Sequence, residues 1–307
     1  MDRRTLADDD QGPKAASEAP FAFSVDVEDY FQVQAFASIV PRESWDRWPS
    51  RVEENTRRIL DLLDGAGAKA TFFTLGWVAR KHPALVKQIA SRGHEVASHG
   101  MFHQMLTELT PETFRMDARD SRAVLEDTSG ISVVGFRAPS YSVNQSTLWA
   151  IDVLAETGYQ YDSSVYPIRR RRYGYPSGPT RPAILQGIRH SLAEFPLPTV
   201  GIGPLRIPVL AGAYLRLLPS VISLQAARYH LARRLPLVVN IHPWEIDPGQ
   251  PTVGQRRGPW THYARLGSTE AILRRILACA PFRSVATRLR ELGLLAHATA
   301  REKDGAR

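Results

Sequence analysis

Short apolar runs and amphipathic stretches alternate along most of this chain. Phe21–Val27 is a short, mostly apolar run with aromatic and β-branched residues, the pattern of a buried strand. In residues 50–64, Val52, Thr56, Ile59, Leu60 and Leu63 recur at helical spacing, and Gly65-Ala66-Gly67 ends the helix. Residues 69–75 form a second strand, 83–91 a helix with Pro83 at its start and Gly93 beyond its end, and 94–97 a third strand. Thr110-Pro111-Glu112 opens a helix that reaches about residue 127. A strand at 133–136, a helix at 146–157 and a short strand at 159–161 follow. Helices at 219–235 and 269–280 flank another apolar run, 237–241. Residues 283–285 read as a last strand and 287–292 as a last helical turn.

Two stretches break the pattern. Residues 1–20 are polar without periodicity and read as a disordered tail, and residues 291–307 as a C-terminal tail. From 163 to 212 prolines and glycines crowd, with short strands at 190–195 and 205–209 and the basic run Arg169–Arg172. A segment of that length reads as a functional insertion. The strand–helix alternation from 21 to 290 predicts one α/β domain with a mostly parallel sheet.

Composition narrows the class. The chain has 307 residues, 43% hydrophobic and 23% charged, an ordinary globular balance. One cysteine, Cys279, excludes an intrachain disulfide and reads as a buried small apolar residue. The start is acidic, without an apolar signal segment, and no run is long enough to span a membrane, so the expectation is a cytoplasmic protein with no transmembrane segment. The net charge of +8 admits an anionic partner, but no nucleic-acid-binding signature and no nucleotide-binding glycine loop is present. Oligomeric state is not legible.

The chemistry gathers at the ends of the apolar runs. Asp26, Glu28 and Asp29 close the first. His99 and His103 follow the third and lie four apart, a spacing that puts both imidazoles on one face of a helical turn and suits a divalent metal. Arg137 follows the fourth run, Asp162 the fifth, and His242 the late one. In a parallel barrel these points converge on one rim.

Taken together, Asp26-Val27-Glu28-Asp29, Ser98-His99-Gly100-Met101-Phe102-His103, Arg137-Ala138-Pro139, Asp162 and Asn240-Ile241-His242 resemble the motifs of polysaccharide deacetylases, carbohydrate esterase family 4. The wording of residues 26–36, 242–247 and 260–263 is similar to the branch associated with exopolysaccharide and exosortase gene clusters. The resemblance implies a deformed (β/α) barrel of about seven parallel strands and hydrolysis of N-acetyl groups on a glycan. It implies a divalent metal, zinc first, with cobalt, nickel and manganese as alternatives. His99 and His103 would hold the metal with one carboxylate: Glu28, which shares Asp26's side of an extended strand and is favoured, or Asp29. Asp26 would be the base, paired with Arg137. His242 would be the acid, with Asp162 holding its tautomer. Ser140 would offer a backbone N–H to the oxyanion, with Tyr141 beside it. Trp244 would be pocket wall or sugar platform.

Overall fold

The computed structural model describes residues 21–170, 173–202, 205–254 and 259–296. The expected tail at 1–20, two of the arginines in the basic run (Arg171 and Arg172) and the residues after 296 lie outside the described residues.

Ten strands occur in chain order among the described residues: β1 Phe21–Val27, β2 Thr71–Thr74, β3 Glu95–Ser98, β4 Gly135–Phe136, β5 Tyr161–Asp162, β6 Ala183–Gln186, β7 Ser191–Glu194, β8 Thr199–Ile202, β9 Leu205–Pro208 and β10 Leu237–Ile241. Eight of them make one curled sheet in the order β10-β1-β2-β3-β4-β5-β7-β6. The pairings from β10 through to β7 are parallel, and β6 closes the edge antiparallel to β7. Seven parallel strands with helices outside form the expected deformed barrel, left open between β10 and β6 among the described residues.

The strands are short because each must only cross the core before it delivers a polar residue to the rim. β1 shows why the pattern is legible. It is hydrogen-bonded on both sides, by β10 and β2, and all seven of its residues are buried. An apolar run is what such a position requires. Helix Val52–Gly65 covers this region with Val52, Ile59, Leu60 and Leu63 turned inward.

The segment 163–212 is part of the barrel rather than an appendage. It contributes β7, the seventh parallel strand, and the separate hairpin β8–β9. Residues 283–285 do not form a strand. Arg283 makes a single bridge to Ala22, and Ser284 then caps helix Val285–Glu291 by accepting the Thr287 N–H at 3.3 Å. Cys279 is half-buried rather than buried, its thiol turned to the Arg275 carbonyl.

Candidate active site

Residues 98–103 do not form a helical turn. β3 ends at Ser98, and the chain then runs as an irregular loop with Gly100 at φ 75° and His103 at φ 52°. Two features force that shape. Asp117, on helix Pro111–Ser129, accepts the Met101 N–H at 3.1 and 3.0 Å. A Cβ on Gly100 would sit 2.8 Å from that carboxylate. The glycine is needed both for its left-handed backbone and for the close approach. The loop brings the imidazoles of His99 and His103 to 5.3 Å between centroids, although the helical geometry behind the spacing argument is absent.

Glu28 completes a cluster with these histidines. One ligand-capable atom from each of Glu28, His99 and His103 falls within 4.8 Å of the others, and all three residues are buried. His99 Nδ1 donates to the Arg137 carbonyl at 2.9 Å, which leaves Nε2 as the free donor atom. Burial keeps the His99 imidazole down at about 4, so it is neutral and its lone pair is available. Glu28 Oε2 lies 2.8 Å from His103 Nε2. That oxygen and His103 Nδ1 are buried without a well-aligned hydrogen bond. Two imidazole nitrogens and a carboxylate oxygen with an unsatisfied acceptor are the donor set that a divalent ion of the zinc type takes.

Asp29 goes elsewhere. Its carboxylate accepts the Ser50 hydroxyl at 2.6 Å and the N–H groups of Arg51 and Val52 at 3.0 and 3.3 Å, where helix Val52–Gly65 begins. It does not join the metal-type cluster. Adjacent residues on an extended chain point to opposite sides, so Glu28 faces the rim while Asp29 satisfies orphan donors of a helix start.

Asp26 is held from both oxygens. Arg137 Nη1 donates to Oδ1 at 2.8 Å, Asn240 Nδ2 to Oδ2 at 3.0 Å, and the Tyr141 hydroxyl approaches Oδ2 at 3.4 Å. Burial alone would raise this carboxyl, but Arg137, His99 and His242 outweigh it and hold it at about 2. Arg137 is itself locked by the Ser163 carbonyl and hydroxyl, each at 2.8 Å, and lies over the Phe73 ring at 4.0 Å.

His242 follows β10. Its Nε2 is 3.6 Å from Asp26 Oδ2 and 3.7 Å from Glu28 Oε1. The partner of its other nitrogen is not Asp162 but Glu245, whose Oε2 lies 2.9 Å from Nδ1 and also accepts the His242 N–H at 3.0 Å. Pro243 starts a short 3-10 turn, Pro243–Ile246, that brings the fourth residue of His-Pro-Trp-Glu back to the first. Arg216 clamps Glu245 Oε1 at 2.7 Å, and both are fully buried. Burial pulls the His242 imidazole down, but the hydrogen bond and charge of Glu245, with Glu28 and Asp26, push it up to about 9. Asp162 instead accepts the Ser164 hydroxyl at 2.5 Å and stands opposite Glu194 in the β5–β7 register. Glu245, Arg216, Asn240's contact with Asp26 and Asp117 are the contributors that the motif positions alone did not assign. The acid three residues after His242 was the available signal for the first.

The remaining positions line one pocket of about 290 Å³ with Asp26, Glu28, His99, His103 and His242. Ser140 and Tyr141 both lie on its wall at φ 53°, and the Tyr141 N–H is committed to the Ala138 carbonyl at 3.0 Å. Trp244 is wall rather than open platform. Its ring is stacked on His242 at 5.1 Å and on His262 at 4.1 Å, and its Nε1 donates to Glu28 at 3.4 Å.

Residues 44–161 match the family model described as polysaccharide deacetylase, and residues 163–290 a model described as a domain of unknown function (DUF3473). The chain is 32% identical over 105 residues to a peptidoglycan-N-acetylglucosamine deacetylase of Bacillus cereus, covering 34% of this chain and 47% of that protein. It is 37% identical over 70 residues to a chitooligosaccharide deacetylase of Rhizobium leguminosarum bv. trifolii, covering 23% of this chain and 33% of that one. The chain thus spans a third to a half of the length of these curated relatives. In fold it is similar to a Mycobacterium smegmatis crystal structure assigned to the polysaccharide deacetylases, with TM-score 0.59 and 22% identity over 92% of this chain and 93% of the other. No helix among the described residues is long and apolar enough to cross a membrane. The matched segment and its relatives show a polysaccharide deacetylase region at residues 44–161 of this chain.

Proposed function

We propose that this protein is a divalent-metal-dependent hydrolase that removes N-acetyl groups from an exopolysaccharide or its precursor. The observation that carries the reading is a base, an acid and a metal-type donor set within one pocket: Asp26, His242 and the Glu28–His99–His103 cluster. Glu28, His99 and His103 would hold the ion, zinc by preference, and the ion would supply carbonyl polarisation and a lowered pKa for water.

The chain's own residues divide the proton work. Asp26 is ionised and oriented by Arg137 and Asn240, so it accepts the proton of the attacking water as oxygen bonds to the acetyl carbon. The Ser140 backbone N–H is the donor at hand on the pocket wall for the charge that develops on the acetyl oxygen. His242 is protonated at neutral pH because Glu245 backs it, and it gives the Nε2 proton to the amine nitrogen as the C–N bond breaks. Acetate and a free amino sugar leave, and Asp26 returns its proton to solvent.

Acetate release from N-acetylglucosamine oligomers and from O-acetyl xylan tests the reading, with the metal added and then chelated. N-acetyl oligomers as the preferred substrate, lost on chelation and in Asp26→Asn, is the expected result. Hydrolysis of O-acetyl xylan alone, or an active Asp26→Asn, overturns it.

A further inference from the structure

The pocket extends beyond the metal-type cluster to a wall of tyrosines supplied by residues 163–214. Tyr166 and Tyr173 stack with centroids 6.3 Å apart, and Tyr214 stands edge-on to Tyr166 at 6.3 Å. The hydroxyls of Tyr173 and Tyr214 meet at 3.1 Å, and Arg170 Nε donates to Tyr214 at 3.0 Å. All three tyrosines line the same pocket as Asp26 and His242.

Two features of this wall bear on what it could hold. The Tyr166 hydroxyl is shut off from solvent and has no hydrogen-bond partner among the described residues. Leaving a buried hydroxyl unsatisfied costs stability, so its retention calls for a compensating role. Arg170 is exposed and makes no ion pair with an acid among the described residues, and its Nη2 is without a hydrogen bond there. Where an exposed arginine does find an acid, as Arg57 does with Glu53 and Arg189 with Glu156, its charge is compensated. Here the guanidinium is instead fixed by a neutral phenol, which orients it without cancelling its charge. A planar, oriented, uncompensated guanidinium beside aromatic rings is a site for an oxyanion carried on a sugar, since the rings take the sugar's C–H face and the guanidinium takes carboxylate or phosphate oxygens.

We propose that Arg170 with Tyr166, Tyr173 and Tyr214 forms a subsite for an anionic group, a carboxylate or phosphate, on the sugar next to the one that carries the acetyl group. The position beside the acetylated sugar rests on the deacetylase reading, but the anion site itself does not need turnover.

The test compares three probes on the metal-loaded protein: N-acetylglucosamine tetramers, oligosaccharides alternating N-acetylglucosamine with glucuronate, and UDP-N-acetylglucosamine. Binding is measured by calorimetry and turnover by acetate release, for wild type, Arg170→Gln and Tyr214→Phe. The expected result is at least about tenfold tighter binding of one anionic probe than of the neutral tetramer. Arg170→Gln removes that preference and leaves affinity for the neutral tetramer within about twofold. Preference for the glucuronate probe assigns the site to a carboxylate, and preference for the nucleotide sugar to a phosphate. Equal binding of all three probes, or an Arg170→Gln that weakens neutral and anionic probes alike, overturns the subsite. Anion-selective binding without acetate release keeps the subsite and overturns the deacetylase reading.

Discussion

The two halves of the site are built by opposite means. The metal-type half depends on local backbone: a loop of six residues, one left-handed glycine and the Asp117 carboxylate that receives the Met101 N–H. The half around His242, the proposed acid, depends on a buried chain of charge, Arg216 to Glu245 to His242, which ties residues from separate elements across the C-terminal part of the protein. The family boundaries divide along the same line. His99, His103 and Arg137 fall within residues 44–161, His242 and Glu245 within 163–290, and Asp26 and Glu28 precede both. The difference teaches that ligand geometry and proton supply can be broken independently, since the first fails through backbone shape and the second through an unpaired charge.

The largest effect is expected where the first half is cut outright. His99→Ala removes one nitrogen donor and frees the Arg137 carbonyl that orients it. Metal affinity should fall by more than about a hundredfold and acetate release to background. Elemental analysis of dialysed protein and a turnover assay at saturating metal check both. Retained stoichiometric metal would place the ion elsewhere.

Glu245→Gln cuts the second half. The amide can still accept the His242 N–H, but it no longer supports a charged imidazole or balances Arg216, a buried cation. Loss of general-acid chemistry is expected to lower kcat by about a hundredfold to a thousandfold while metal affinity changes less than about threefold. Because an unpaired Arg216 also destabilises the fold, the double variant Arg216→Met with Glu245→Gln is the control. It should recover thermal stability but not kcat. A double variant with near wild-type turnover would show that Glu245 is only a structural partner of Arg216.

Gly100→Ala returns to the loop with a smaller lesion. A left-handed alanine costs on the order of 1–2 kcal/mol, and the new methyl group would press on Asp117 at 2.8 Å. The expected outcome is a tenfold or greater loss of metal affinity with a modest fall in thermal stability. Asp117→Asn should reproduce part of that loss, because an amide cannot receive the Met101 N–H with both atoms.

The barrel itself was legible because a strand buried along its whole length has little choice but to be mostly apolar, as β1 and β10 are. The rim was legible for the same reason: a carboxylate or imidazole that ends such a run is costly there without a task. Two assignments needed three dimensions. Asp29 and Glu28 are neighbours in sequence, and only the path of the chain shows that Asp29 serves helix Val52–Gly65. Asp162 and Glu245 were both acids near a strand end. The choice between them rests on a turn set by Pro243 and on Arg216, a residue 29 positions upstream of Glu245 and without a motif of its own. Spacing also gave the right pair of histidines through the wrong local geometry, since a loop with left-handed Gly100 does what a helical turn was expected to do. Asp29→Asn sharpens this point: a loss of about 1 kcal/mol in stability with unchanged metal affinity is expected of a helix-start acceptor.

The smallest effect on catalysis is expected at Asp162. It stands opposite Glu194 between β5 and β7, both carboxyls are fully buried, and burial pushes Asp162 up to about 6 and Glu194 well above the ordinary carboxylate range. A carboxyl with a raised folded-state pKa holds its proton in the native state where the unfolded chain has already released it. Its stabilising contribution is therefore complete below pH about 4, the unfolded value, and is lost as pH rises through about 6. Asp162→Asn removes that titration and keeps a donor and an acceptor toward Ser164 and Glu194. Thermal melts of the wild type and the variant at pH 5 and pH 8 should then converge: the wild type loses stability over this interval, and the variant loses less. Turnover should stay within about threefold of wild type, because His242 takes its orientation from Glu245. A hundredfold fall in kcat with an unchanged melting profile would instead restore Asp162 to the proton path and break the distinction between the acid half of the site and the sheet behind it.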